Sequence, residues 1–338
     1  MKIDTVTKTG TPQDGRTSSF SASIKNAPEN MIQGVFLVTI LVGIVIYFSS
    51  QSDNFFSIRN FITILATAAV IGIVSIGQVL TIITGGFDLS VSGVVPLGAV
   101  LYALFLNAGM SLPVALLLVI LCGAAVGTFN GLVITLLRIN PLIATLGTMS
   151  IAGGIALTLA NGVSVPFTDI NNDVLTQSTI GSIPNHVWLL IGLGLLAHAM
   201  LRTTVFGRQL YAVGGGEEAS RLAGIKTRSV KATAYVLSGL LASLAGAVIS
   251  SQLLTGVGTA GATSALTSIA AVVLGGAVLT GGVGGIPGTF VGVIILSTLS
   301  NGMAVIQVPS FYQDIATGAV LLIAVALSQL KQVISQRK

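Results

Sequence analysis

The sequence predicts an all-α polytopic membrane protein of about ten transmembrane helices, with both termini in the cytoplasm. Three observations point to it. The 338 residues are 53% hydrophobic and only 7% charged, against roughly 25% charged in a soluble domain, so the chain cannot clothe a water-facing surface. Apolar runs fill nearly everything from Met31 to Leu330, and many approach the ~20 residues that a spanning helix needs. The few charges gather in clusters between those runs.

Ten runs follow in order: 31–49, 61–84, 91–107, 112–137, 141–160, 186–201, 231–252, 266–282, 286–307 and 312–330. Residues 1–30 are polar and rich in Ser and Thr, the composition of a disordered cytoplasmic tail. The first run is longer than a signal-peptide core and has no small-residue cleavage pattern, so it is expected to be retained. The runs near 266–307 are the least sharply bounded. Gly281–Gly285 breaks an apolar region there, and Pro287 suits the first turn of the next helix. One transmembrane domain over 31–330 and a short cytoplasmic tail at 331–338 complete the plan.

Charge tests the count. With the N-terminus inside and successive runs alternating, fourteen of the fifteen Lys and Arg residues fall on the cytoplasmic side. They are Lys2, Lys8, Arg16 and Lys25, then Arg138, then the six between Arg202 and Lys231, then Lys331, Arg337 and Lys338. Only Arg59 falls outside, which is the bias that sets membrane orientation. One run more or fewer before Arg202 would place a large basic group outside. The longest outer loop, Asn161–Asn185, holds Asp169 and Asp173 with no Lys or Arg. It reads as a solvated connector or as a contact for a soluble partner.

Much chemistry is excluded. No basic face with interleaved aromatics suggests nucleic acid. Cys122 is the only cysteine, in an apolar run, and reads as a small core residue. His186 and His198 lack metal-ligand spacing, so no metal site is expected. A phosphate-binding loop needs G-x-x-x-x-G-K-[ST], and Gly224-Ile225-Lys226-Thr227 lacks the adjacent Gly-Lys. No carboxylate pair or nucleophile elbow stands out. The pattern is that of a conduit rather than an enzyme, with no cofactor in this chain.

The stretch Arg202–Lys231 is the one long polar island, with six of the fifteen basic residues and two of the ten acids. It is where the chain can meet a soluble partner. Gly214, Gly215 and Gly216 allow a chain reversal. Glu217 and Glu218 then suit the first turn of a short helix, where acids favour the positive dipole end. Ala219, Leu222 and Ala223 follow as small apolar positions, and Gly224 suits the C′ position. Two turns are unstable alone in water, so this helix needs support from the membrane domain and a partner.

Inside the runs, polar groups are few. Asp88 and Ser90 follow Gly85-Gly86 at the inner end of the second run. They read either as part of a translocation path or gate, since charge at membrane depth is costly and often functional, or as caps of the helix that begins near Val91. Asn130, Asn301 and Gln78 suit bonds between helices or the path lining. Thr145 and Ser150 can back-bond to their own helices. Gly123-x-x-x-Gly127 and Gly288-x-x-x-Gly292 suit close helix packing. A faint echo links Leu80-Thr81 before Gly85-Gly86 with Leu279-Thr280 before Gly281-Gly282, too weak for a repeat.

Glu218-Ala219-Ser220-x-x-x-Gly224 resembles the E-A-A-x-x-x-G coupling motif of ABC importer permeases, with Ser in place of the second Ala. The wider string Gly207-Arg208-x-x-Tyr211-Ala212-x-Gly214-Gly215, then Ala219-x-Arg221-Leu222-x-Gly224-Ile225, is more specifically similar to the ribose-type sugar permeases. So are Gly85–Val91, Asn130-Gly131, Ile143–Leu146 and Ala270–Gly276, over roughly residues 40–330. The resemblance implies the membrane subunit of an importer for a ribose-like pentose or hexose, in a bacterial inner membrane. It implies a second permease chain, identical or related, a cytosolic ATPase that binds ATP and Mg, and an extracytoplasmic sugar-binding protein. It implies that Gly207, Arg208, Gly214, Gly215, Glu217, Glu218, Ala219, Arg221, Leu222, Gly224 and Ile225 form the ATPase-coupling loop. Phe87 stands where the family usually has Ile, and its ring narrows a path that would include Phe87, Asp88, Ser90, Asn130, Thr145 and Asn301. The alternatives are an ABC permease for a nucleoside or branched-chain amino acid, and an ion-coupled secondary transporter. The latter normally needs ionisable groups at mid-depth, whereas Asp88 and Asp314 both map to run ends.

Overall fold

The computed structural model describes residues 29–167, 174–178 and 180–336. The tail expected over 1–30 falls almost wholly outside that range, as do Asp169 and Asp173. Among the described residues the fold is helical. The helices are α1 (Glu29–Gln51), α2 (Ile58–Ile83), α3 (Val91–Asn107), α4 (Leu112–Leu136), α5 (Pro141–Leu159) and α6 (Asn185–Thr203). They continue with α7 (Val205–Gly215), α8 (Glu217–Leu222), α9 (Thr227–Leu253), α10 (Ser264–Leu274), α11 (Ile286–Val305) and α12 (Ser310–Gln336). Two-residue strands β1 (Val165–Pro166) and β2 (Thr255–Gly256) pair antiparallel, Val165 opposite Gly256. They staple the α5–α6 connection to the end of α9.

Each expected run has its helix, and local chemistry sets the ends. Ser57 caps α2 by accepting from the Asn60 N–H. Asn140 caps α5 by accepting from Leu142, with Pro141 opening the first turn. Among the described residues six helices are long and apolar enough to cross a membrane: α2, α4, α5, α6, α9 and α11. Two expectations change. The run 266–282 is helical only to Leu274, and residues 275–285 form a glycine-rich loop in which Gly276, Gly281 and Gly282 take positive φ. Eleven residues rise ~16 Å, about half of the ~30 Å hydrocarbon core. At the other end, α12 continues to Gln336, so most of the expected tail at 331–338 extends the last helix.

Helix α9 is the centre, packed by α4, α3 and α2. Small residues allow it. Gly127 of α4 lies so close to α9 that a Cβ there would collide with the Tyr235 carbonyl, and Gly239 of α9 faces Gly123 in the same way. In lipid such close backbone approach drives helix association. Gly288 and Gly292 of α11 seat against Gly275, just past the end of α10, and Ala271 of α10 on the same principle. Both small-xxx-small patterns in the sequence therefore mark packing seams. The outward faces of α4, α5 and α6 expose Leu117, Leu121, Ile151, Leu195 and Leu196, an apolar surface suited to lipid.

Candidate functional site: a polar surface and the buried knot beneath it

The polar island folds as a corner and a projecting turn. Thr204 caps α7, its hydroxyl accepting from the Gly207 N–H at 3.1 Å. Gly207 packs directly on the Met200 and Leu201 carbonyls at the end of α6, where a side chain would not fit. Arg208 reaches back to the Thr203 carbonyl at 3.3 Å. These two residues build the α6–α7 corner. Helix α7 continues through Gly214 and Gly215, so the chain turns at Gly216 rather than across all three glycines.

Helix α8 then stands out from the body. Ser220 is its one buried residue; Glu217, Glu218, Ala219, Arg221 and Leu222 are exposed, Leu222 at 76%. It ends in a Schellman motif. Ile225 N–H donates to the Ser220 carbonyl and Gly224 N–H to the Arg221 carbonyl, both at 3.0 Å, with Gly224 at φ +85°. Gly224 thus takes the C′ place that the sequence suggests. Glu218 pairs with Arg221 within the helix, and Glu217 pairs with Lys231 of α9. The Arg221 guanidinium, by hydrogen bond first and charge second, holds the Glu218 carboxyl below its usual range.

Behind α8, the end of α7 locks into the membrane body. A Cβ on Gly214 would strike the Ile83 carbonyl at the end of α2 and the Gly282 nitrogen. Those two groups bond each other at 2.9 Å. Tyr211 donates its hydroxyl to the Gly284 carbonyl at 2.9 Å. Gly85 faces Thr280 and Gly281 faces Gly85, both glycines at positive φ. The two segments that echo each other in sequence are therefore in contact, and α7 is wedged where they meet.

Above this clasp is a buried polar knot. Asp88 is fully buried, and its Oδ1 accepts from both the N–H and the hydroxyl of Ser90. Ser90 Oγ accepts from Asn130 Nδ2 at 2.8 Å, and Asn130 Oδ1 accepts from Thr148 Oγ1 at 2.6 Å. With its amide oriented to match its neighbours, Gln78 donates to the Asp88 carbonyl at 3.0 Å and accepts from its N–H at 3.3 Å. Tyr235 donates to the Phe87 carbonyl at 3.3 Å. One continuous chain of bonds so joins α2, α4, α5 and α9 to the turn before α3. Asp88 Oδ2 is buried against the Ser238 hydroxyl of α9, the side chain placed to bond it.

Residues 60–325 match the family described as the branched-chain amino acid transport system permease component. The chain is similar to the ribose import permease protein RbsC of Escherichia coli (strain K12), 39% identical over 301 residues, which cover 88% of this chain and 93% of that protein. RbsC of Bacillus subtilis (strain 168) is 37% identical over 88% of this chain and 91% of its own. The L-arabinose ABC transporter permease protein AraH of Azospirillum brasilense is 33% identical over 95% and 96%. The chain belongs to the ribose-type family of ABC importer permeases. It is a multi-pass membrane permease of the inner membrane. No solved structure matches it.

In this permease the structure gathers three of the suggested path residues, Asp88, Ser90 and Asn130, and gives Phe87 a main-chain role beside them. Thr145 stays apart, bonding its own helix at the Pro141 carbonyl, 2.7 Å. Asn301 lies on α11 with its Oδ1 buried and unpartnered. The sequence alone does not single out Thr148, which sits one turn beyond Thr145, or Tyr235 and Ser238 of α9. The signal available was their spacing: Tyr235 and Ser238 share one face of α9 with Ala242. Among the described residues no three His, Cys, Asp or Glu side chains gather as metal ligands.

Proposed function

We propose that this permease is the membrane subunit of an ATP-driven, binding-protein-dependent importer of a neutral monosaccharide, a ribose-like pentose or a hexose. The observation that carries the reading is the full-length kinship, 39% identity across 93% of a ribose import permease. Ten crossings with both termini inside, the eighth made by α10 together with the extended segment that precedes it, and a second permease chain, complete the assembly. ATP and Mg are bound by a separate cytosolic ATPase.

The coupling element is α8. It offers an apolar knob, Leu222, beside a Glu218–Arg221 pair on a helix that its own membrane domain scarcely covers. An isolated two-turn helix is unstable in water. Here the Schellman end and the Glu217–Lys231 tie hold it ready for a partner. Movement of α8 is passed through α7 to the clasp at Gly214, because a glycine in backbone contact leaves no slack. The clasp borders the Asp88 knot, which acts as the inner gate. Alternating access then consists of opening this knot towards the cytoplasm when the ATPase subunits part or close.

The test is co-purification of the cognate ATPase with detergent-solubilised permease, followed by ATP hydrolysis assay. The native chain retains the ATPase, and sugar-loaded binding protein stimulates hydrolysis. Retention equal to native by a chain carrying both Glu218→Lys and Gly224→Pro would remove α8 as the docking element.

A further inference from the structure

Helix α10 begins inside the protein body. The non-helical segment before it runs down the side of α3: Gly256 lies against Ala99 and Ala103, Gly261 against Val95, and the Ala265 N–H donates to Ser92 Oγ at 2.9 Å. From Ala103 to Ser92 that descent covers about 16 Å of helix. Its upper end is near β1, where Asn107 bonds the Pro166 carbonyl, and away from α8. Irregular backbone at membrane depth is tolerated only where protein buries it or where it lines a water-filled cavity.

A cavity of about 250 Å³ opens at the start of α10. Its polar wall includes Thr263, Thr267, Ser300, Gln313, Asp314 and Thr317, and its apolar wall includes Val70, Val74 and Leu296. Ser300 lies fourteen residues along α11 from Ile286, about 21 Å from the clasp that meets α7. The cavity is therefore remote from the coupling surface and distinct from the Asp88 knot.

The lining selects a ligand class. It holds no Lys, Arg or His, so it offers nothing to a phosphate or carboxylate. Three of its six hydroxyls are oriented by the protein: Thr267 donates to Thr263 O at 3.1 Å, Thr317 to Gln313 O at 2.9 Å, and Ser300 to Gln313 Oε1 at 2.7 Å. With those protons committed, the oxygens remain as acceptors. Asp314 adds a carboxylate that takes part in neither ion pair found among the described residues. A wall of acceptors facing an apolar wall fits a molecule that carries many O–H donors around a C–H face. The volume is below the roughly 300–1,000 Å³ of sites for drug-sized ligands, which suits a solute of monosaccharide size.

We propose that this cavity is the outward-facing transit site, where an uncharged sugar released by the binding protein is held before the inner gate opens. The assignment rests on the importer reading above. Acceptors at Thr267, Gln313 and Asp314 receive sugar hydroxyls, and Val70, Val74 and Leu296 cover the C–H face.

The experiment uses proteoliposomes holding permease, ATPase and binding protein, with radiolabelled D-ribose or L-arabinose outside and ATP available to the ATPase. Gln313→Leu and Thr267→Val are each expected to lower uptake about tenfold, the scale of one lost hydrogen bond, with ATPase retention unchanged and Thr267→Ser close to native. In a Cys122→Ala chain, Thr267→Cys is expected to react with a membrane-impermeant maleimide added outside, more slowly when the transported sugar and binding protein are present. Native uptake by both Gln313→Leu and Thr267→Val overturns the site, as does a Thr267→Cys chain that stays unlabelled or whose labelling the sugar leaves unchanged. If the native complex imports neither these pentoses nor the hexoses D-galactose and D-glucose, the importer reading itself falls and the sugar falls with it as occupant.

Discussion

Gly224 sits at φ +85° and supplies one of the two bonds that end α8. Gly224→Ala is expected to cost at least about 1 kcal/mol locally, because a Cβ resists that conformation. Gly224→Pro does more, since it fixes φ near −65° and deletes the N–H that bonds Arg221. Both should weaken ATPase retention, the proline more, while membrane levels stay native. The Glu218 carboxyl is held low by Arg221, so the pair supports α8 above the ordinary Glu range and loses that support as pH falls through the lowered value. Arg221→Gln should therefore shift acid loss of ATPase binding to higher pH, an effect that salt screens. At the knot, Asp88→Asn keeps an oxygen for the Ser90 N–H, so folding should survive while uptake falls. Native uptake by Asp88→Asn would reduce Asp88 to a helix cap. Thr148→Val leaves Asn130 Oδ1 without its bond and should lower thermal stability by ~1–3 kcal/mol. Of these roles, Gly224 as a helix end was legible from its position after an amphipathic turn. Thr148 was not, because Thr145 and Thr148 look alike in sequence and only the α4–α5 packing tells which one meets Asn130.

The helices themselves were legible, because an apolar run bounded by Ser57, Asn140 or Pro141 leaves the backbone little choice in lipid. The length of α10 was not. The run from Ala265 to Leu279 stays apolar past the helix end, and hydropathy cannot register that Gly276 adopts positive φ or that Gly275 sits in contact with Gly288. The seams between helices were legible as spacing alone, with their partners hidden. Gly127→Val tests the α4–α9 seam. Its added carbons have no room against Tyr235, so overpacking should destabilise by ~1–3 kcal/mol, read as a lower melting temperature in detergent. Gly147→Ala, at a glycine with open space around it, should leave melting unchanged.

For the whole molecule, scarcity of charge established the membrane setting, and the island Arg202–Lys231 marked the one surface that could meet a soluble motor. Which buried groups meet depended on tertiary structure. The contact of Gly85 with Thr280, and of Gly214 with Ile83 and Gly282, joins segments up to about two hundred residues apart, and neither spacing nor periodicity encodes that. The resulting order is an exposed helix, a glycine clasp and a polar knot, with a hydroxyl-lined cavity on the far side. This is the arrangement expected of a conduit moved by an external engine. The most direct measurement is uptake of D-ribose and L-arabinose into proteoliposomes holding permease, ATPase and binding protein, with and without ATP on the ATPase side. Sugar accumulation is expected to require both ATP and the binding protein, and to be abolished by Glu218→Lys with Gly224→Pro. Accumulation driven by an ion gradient alone, in vesicles holding only this chain, would contradict that expectation.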